Sequence, residues 1–232
     1  MALEISQLDQ NWAIILAAGA SQRMGTCKAS LPWGENQTLL TYQIEQFLIA
    51  GIRAIVVLSP RNANLITNFS ELLRSRQPPL TPLENGNQTP PAPLERGGYE
   101  VRAIVNPAPE LGKTSSILLG LSQLPKNFAT VIISAVDQPR PAQVYQDLLH
   151  LSQQLANLLV APTYQGKMGH PILFTQRLLP ELLAISEANL GLRQVIQKYR
   201  SHISYVEAPE IVLTDLNTPE AYQRVMKKSP IT

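Results

Sequence analysis

At 232 residues the chain fits one large domain or two small ones, and it can bury enough core to need no covalent staple. Its 44% hydrophobic and 16% charged content is that of an ordinary globule, and a net charge of +2 offers no basic stripe for a nucleic-acid partner. A single cysteine, Cys27, excludes an internal disulfide and a thiolate zinc site within one chain, and no apolar stretch reaches the ~18 residues of a membrane span.

The opening Met1–Ser6 carries an acid and no long apolar run, unlike a signal peptide, so a cytoplasmic location is expected and residues 1–11 read as a polar leader. Trp12 to Ala17 is an apolar run ending at Gly19, the pattern of a central parallel strand feeding a loop. Leu16, Ala17, Ala18, Gly19, Ala20 and Ser21 are small after the first, so another molecule can approach the main chain, and successive N–H groups there can form an anion nest. Arg23 and Lys28, with Gly25 between them, add charge-assisted donors worth about 1.5–3 kcal/mol each to a bound oxyanion. A phosphorylated ligand fits this loop; so does a plain surface turn with two solvated cations.

Thr38 to Ala50 has helical apolar spacing with Gly51 as its stop, Ala54 to Leu58 is a second buried strand, and Asn62 is placed to cap a helix running to Leu73. The stretch Ser75 to Glu100 is proline-rich and poor in β-branched aliphatics, so it is expected to be an irregular insertion, with a polyproline ligand as the alternative. Alternation then resumes with a strand at Val101–Val105, followed by Asn106-Pro107 and by Gly112-Lys113-Thr114-Ser115-Ser116 opening a helix to Leu124. A Walker A loop would need glycine where Pro107 stands, so this is not a P-loop. Gly112 allows close approach, while Ser115 and Ser116 sit where unpaired helix N–H groups point outward, as a ligand cradle or as a plain N-cap.

Thr130 to Val136 is the most apolar strand, and it ends at Asp137-Gln138-Pro139. An acid just past the carboxyl end of a central parallel strand lies where open α/β sheets bind ligands, and one or two carboxylates plus substrate phosphates suit magnesium. Asp-x-Pro is also ordinary turn chemistry. Strands at Asn157–Pro162 and Pro171–Phe174 flank a turn at Gln165-Gly166 and the run Gly169-His170-Pro171. Helices at Leu178–Ile185 and Leu190–Tyr199, a strand at Ile203–Glu207 and a Thr218-capped helix with Pro219 first complete the chain. The alternation predicts one α/β domain over 12–228, with a Rossmann-like three-layer α/β/α build, a mostly parallel sheet and a short tail at 229–232.

Leu16-Ala17-Ala18-Gly19-x-Ser21-x-Arg23-Met24-Gly25-x-x-Lys28 closely resembles the signature loop of molybdenum cofactor nucleotidyltransferases, within the larger sugar-nucleotide and isoprenoid cytidylyltransferase group. The segment Asn106 to Ser116, Asp137-Gln138-Pro139, Gly169-His170-Pro171 and Asp215-Leu216-Asn217-Thr218-Pro219-Glu220 resemble further elements of that family, in its order. The resemblance implies the nucleotide-diphospho-sugar transferase fold, with Arg23 on the β and γ phosphates and Lys28 at the α phosphate and departing pyrophosphate. It implies that Asn106, Gly112, Ser115 and Ser116 seat the nucleotide, that His170 lies on the acceptor side, and that Asp137 and Asp215 hold Mg2+. Asn217 stands where many relatives carry a second Asp, and Ser30 where many have an apolar residue. Ala18 looks like the cytidylyl branch, since guanylyl relatives tend to carry Gly there.

By resemblance the reaction is CMP transfer from CTP to molybdopterin, with a molybdoenzyme or its chaperone as a partner. Alternatives are a GTP-using enzyme, a cytidylyltransferase acting on methylerythritol phosphate, and a noncatalytic nucleotide-binding regulator. An NAD-dependent oxidoreductase is disfavoured, because no Gly-x-Gly-x-x-Gly follows the first strand.

Overall fold

The computed structural model describes residues 10–19, 24–34, 36–66, 94–96, 99–155 and 157–228. Strand β1 (Asn11–Leu16) is buried at every position and sends alternate side chains to opposite faces of the sheet, as the pleat requires. Trp12, Ile14 and Leu16 enter one core cluster, and Ala13 and Ile15 the other. Helix α1 (Leu39–Ile49) begins at Thr38, whose hydroxyl accepts from Thr41 N at 3.2 Å while Thr41 Oγ1 accepts from Thr38 N at 2.8 Å. Both ends of this reciprocal cap satisfy orphan donors of the first turn.

Strand β2 (Arg53–Leu58) follows, and then a single turn at Pro60–Asn62. Asn62 does not cap the helix expected here: Ser59 opens the turn, and Asn62 Oδ1 accepts from Ser59 N at 2.7 Å. The rest of that expected helix, beyond Ile66, lies outside the described residues, as does most of the proline-rich stretch. The end of that stretch is not irregular. Strand β3 (Leu94–Arg96) pairs antiparallel with β4 (Tyr99–Val105), and Glu100 is buried within ion-pair reach of Arg102 and, at 4.0 Å, Arg53. Ladder hydrogen bonds and a buried charged pair offset the ordering entropy that apolar content alone could not.

Helix α2 (Lys113–Leu121) leads to β5 (Thr130–Ala135). The next helix, α3 (Ala142–Gln154), is absent from the sequence expectations, although Val144, Tyr145, Leu148 and Leu149 carry its buried stripe at helical spacing. Strands β6 (Leu159–Tyr164), β7 (Lys167–Met168) and β8 (Ile172–Thr175) form a local antiparallel unit, and short helices α4 (Leu179–Leu183) and α5 (Leu192–Lys198) precede β9 (Ile203–Glu207). Helix α6 (Pro219–Lys228) closes the chain, with Thr218 Oγ1 accepting from Ala221 N at 3.2 Å.

Among the described residues the strands make one nine-stranded sheet in the order β3-β4-β2-β1-β5-β8-β6-β7, with β9 on β6. β4, β2, β1 and β5 are mutually parallel and β9 is parallel to β6, while β3, β7 and β8 pair antiparallel. Helices α1 and α3 cover one face, through Leu40, Ile44, Phe47, Tyr145 and Leu148; α2, α4 and α5 cover the other, through Ile117, Leu121, Leu182 and Val195. This is the three-layer, mostly parallel architecture expected. The chain steps outward from β1 to β2 and β4, then returns to β5 on the other side of β1, so a crevice opens at the carboxyl ends of β1 and β5. Among the described residues no helix is long and apolar enough to cross a membrane.

Candidate active site

Four strand ends build the crevice. Beyond β1, Ala17 N donates to Val57 O at 2.8 Å and Ala17 O accepts from Asn62 Nδ2 at 2.8 Å. Asn62, buried and spanning Ala17, Ser59 and the Cys27 sulfur at 3.7 Å, therefore fastens the root of the opening loop to its return. Leu16, Ala17, Ala18 and Gly19 line a cleft of about 250 Å³ with Lys28 and Asp137. Gly25 lies on a neighbouring cleft of about 800 Å³ that shares Ala18 and Gly19. Ser21 and Arg23 lie outside the described residues.

Beyond β4, Asn106 Nδ2 donates to Ser115 Oγ and Ser116 Oγ, each at 2.9 Å, and Ser115 Oγ donates to Gly112 O at 2.8 Å. The two hydroxyls are thus engaged in shaping the turn, and Ser116 also lines the smaller cleft. Gly112 has a φ of 99°, open to glycine at no steric cost. A Cβ there would also fall 2.4 Å from Glu187 Oε1. That carboxylate accepts from Thr114 N at 2.6 Å, placing a negative charge at the positive end of α2.

Beyond β5 lies the densest chemistry. Lys28 Nζ donates to Asp137 Oδ2 and to Asn217 Oδ1, both at 2.7 Å, with side chains only 14% and 16% exposed for the ion pair. Gln138 Nε2 donates to Asp215 Oδ1 at 2.8 Å, and Leu216 N donates to Asp137 O at 2.8 Å. Lys28, Asp137, Asp215 and Asn217, which span most of the chain, therefore meet in one place. Leu216, fully buried between the two polar residues, packs in a cluster with Leu31, Trp33 and Leu39 against which Met24 rests. This joins the last acidic segment to the returning end of the opening loop.

A third cleft, of about 570 Å³, is walled by His170, Asp215, Gln138 and Glu187 over an apolar floor that includes Ile133, Ile172 and Phe174. It shares Leu16, Lys113 and Ala135 with the smallest cleft, so the two are neighbours. His170 N donates to Val212 O at 2.9 Å, and Gly169 N to Pro162 O at 2.8 Å; Gly169 and Pro171 are buried, and His170 opens to the cleft. Loss of solvent to the cleft walls pulls the His170 pKa below its usual 6.5; Asp215 and Asp137 oppose this, and Lys113 and Arg140 add to it.

Sequence reasoning missed several groups here. Gln43, fully buried on α1, donates to Ala135 O at 3.0 Å and Gln138 O at 2.8 Å, holding the turn behind Asp137. Arg140 is also fully buried, and burial lowers its pKa to about 10, with Tyr145, Asp215 and Asp137 opposing, so it is cationic at neutral pH. An arginine flanked by prolines carries no local sign of burial, and a glutamine on an apolar face reads as a solvated position.

Among the described residues no group of three or more His, Cys, Asp or Glu is gathered as a metal cage. Two carboxylates on adjoining turns, tied together through Gln138 and Leu216, nevertheless fit a hard ion that takes few protein oxygens and completes its shell with water and phosphate.

No curated protein matches the chain. Among solved structures, it is similar to Rv0371c from Mycobacterium tuberculosis H37Rv at 18% identity and a TM-score of 0.67, covering 94% of this chain and 98% of that one. The complex of Rv0371c with manganese aligns at 17% identity and a TM-score of 0.63, covering 94% and 98%. The 4-diphosphocytidyl-2C-methyl-D-erythritol synthase from Anaerococcus prevotii DSM 20548 aligns at 13% identity and a TM-score of 0.63, covering 95% and 99%. At these identities the likeness is one of fold. The sequence itself matches a family model over residues 13–203, and on that span the chain belongs to the MobA-like NTP transferase domain family.

Proposed function

We propose that this nucleotidyltransferase-family chain moves a nucleoside monophosphate, CMP from CTP, onto a phosphorylated small-molecule acceptor such as molybdopterin, releasing pyrophosphate. One observation carries the reading: Lys28 lies between Asp137 and Asn217, with Asp215 bonded to the next residue, Gln138, at the border of two neighbouring clefts. The smaller cleft, walled by small residues and main chain, suits a triphosphate, and the cleft beside His170 suits the acceptor. The family points to a nucleoside triphosphate, and Ala18 favours cytosine over guanine.

The reaction asks for alignment and charge neutralisation more than for covalent chemistry. The acceptor phosphate attacks the nucleotide α phosphorus in line, and pyrophosphate departs from the opposite side. Lys28 supplies positive charge on the wall of the phosphate cleft, and Arg23 supplies a two-pronged donor to the β and γ phosphates. His170, whose surroundings lower its pKa, offers a hydrogen bond to the acceptor. Asp137 and Asp215 would hold a divalent ion, proposed to be Mg2+, which when bound offsets negative charge on the phosphates. The solved manganese complex of Rv0371c supports a divalent ion.

The test is pyrophosphate release with CTP, GTP, ATP and UTP, each against molybdopterin and methylerythritol phosphate. CTP with molybdopterin is expected to turn over fastest. Turnover with GTP moves the chain to the guanylyl branch, turnover with methylerythritol phosphate changes the acceptor, and binding without turnover of any pair supports a nucleotide-binding regulator. A molybdoenzyme or its chaperone is the proposed recipient of the product.

A further inference from the structure

The two acids proposed to hold the ion come from loops far apart in sequence, and His170 comes from a third. The three segments are short connections, one of them carrying a single helical turn at Glu210–Leu213, and all three converge on one buried side chain. Arg140 Nε donates to His170 O at 3.0 Å, Nη1 to Pro139 O at 2.9 Å, and Nη2 to Val212 O at 3.2 Å and Thr214 O at 2.9 Å. These carbonyls lie two residues after Asp137, on His170 itself, and three residues and one residue before Asp215. All four of these bonds end on backbone carbonyls, and the arginine is fully buried. Burying an arginine costs several kcal/mol unless its hydrogen bonds are complete, so the loops are held where the guanidinium fork needs their carbonyls.

We propose that Arg140 is a positioning residue that sets the relative placement of Asp137, Asp215 and His170, and so tunes the affinity of the divalent-ion site. This rests on the reading of Asp137 and Asp215 as the ion's ligands. A planar fork of five N–H groups reaches four carbonyls from three segments; an ammonium with three donors on a tetrahedral head cannot. The flanking main-chain bonds, His170 N to Val212 O and Leu216 N to Asp137 O, run between the same segments and depend on the same spacing.

The test uses the whole chain and Mn2+ alone as probe, with free Mn2+ followed by electron paramagnetic resonance in the wild type, Arg140→Lys and Asp137→Asn, beside thermal melting of each. The expected result is Mn2+ binding by the wild type, its loss in Asp137→Asn, and at least tenfold weaker binding in a folded Arg140→Lys protein. If Asp137→Asn binds as the wild type does, or the wild type binds none, the reading of Asp137 and Asp215 as the ion's ligands fails and takes this inference with it. If Asp137→Asn loses the ion but Arg140→Lys binds within twofold of the wild type, whatever its melting temperature, the ligand reading stands and this inference is overturned. Should Arg140→Lys not fold, amide exchange in the wild type decides: slowing of both Leu216 and His170 N–H on adding Mn2+ supports one body pinned by Arg140, and slowing of Leu216 without His170 overturns it.

Discussion

Single residues here are set by what they face across the crevice. Lys28 could have been a solvated surface cation; instead it bridges Asp137 and Asn217. Asn217 in place of a carboxylate gives Lys28 a neutral oxygen at that position, which lowers the negative charge beside the proposed ion. Arg23 is expected to act most strongly as charge grows on the departing pyrophosphate, so Arg23→Ala should lower kcat by roughly 10²–10³ with a modest change in nucleotide KM. Arg23→Lys should restore only part, since an ammonium has no fork; steady-state kinetics with the true acceptor check both. His170 gives a pH signature. Its folded pKa is held below the unfolded value of 6.5, so as pH falls through 6.5 the unfolded chain takes up the proton first and stability is lost until the folded pKa is reached. Melting temperatures measured from pH 7.5 down to about 5.5 should fall more steeply for the wild type than for His170→Gln, and equal slopes would rule His170 out as the source.

At the scale of elements, helix α2 shows how packing serves the site. Its first residues present Gly112, Lys113 and Ser116 to the smallest cleft, and its position is set by close approach to β1 at Gly120. A Cβ at Gly120 would sit 2.5 Å from Ile14 Cγ2, a buried side chain of the central strand. Alanine at an open helical site gains nearly 1 kcal/mol over glycine. Here overpacking, typically 1–3 kcal/mol, exceeds that gain. Gly120→Ala is therefore expected to destabilise the fold by up to about 2 kcal/mol in urea titration and to weaken nucleotide binding by shifting the start of α2. Elements with strong local periodicity, such as α1, β5 and β9, lie within a residue or two of where their patterns put them. Helix α3 was missed although its pattern is present, and α5 starts later than expected because Leu190 sits at a φ of 63° and ends the preceding turn.

For the whole molecule, the edge of the sheet tests where the proline-rich insertion stops. Replacing residues 75–92 by a short Gly/Ser bridge should leave the melting temperature nearly unchanged, while extending the cut through Glu100 should lower it by several degrees. The longer cut removes β3 and the carboxylate beside Arg102 and Arg53, a charged interaction worth about 1.5–3 kcal/mol. By itself the sequence determined the α/β alternation, the small-residue loop with its two cations, the acid after the most apolar strand and the family to which these point. Those features rest on periods of two and 3.6 residues and on runs of small side chains, which are local. Only the tertiary structure decided that β8 runs antiparallel beside β5, that Glu187 seats at the start of α2, that Lys28 meets Asn217 across 189 residues, and that Arg140 is buried under four carbonyls. These depend on which strand ends the sheet brings together, and apart from Pro139 beside Arg140 no window of neighbouring residues contains both partners.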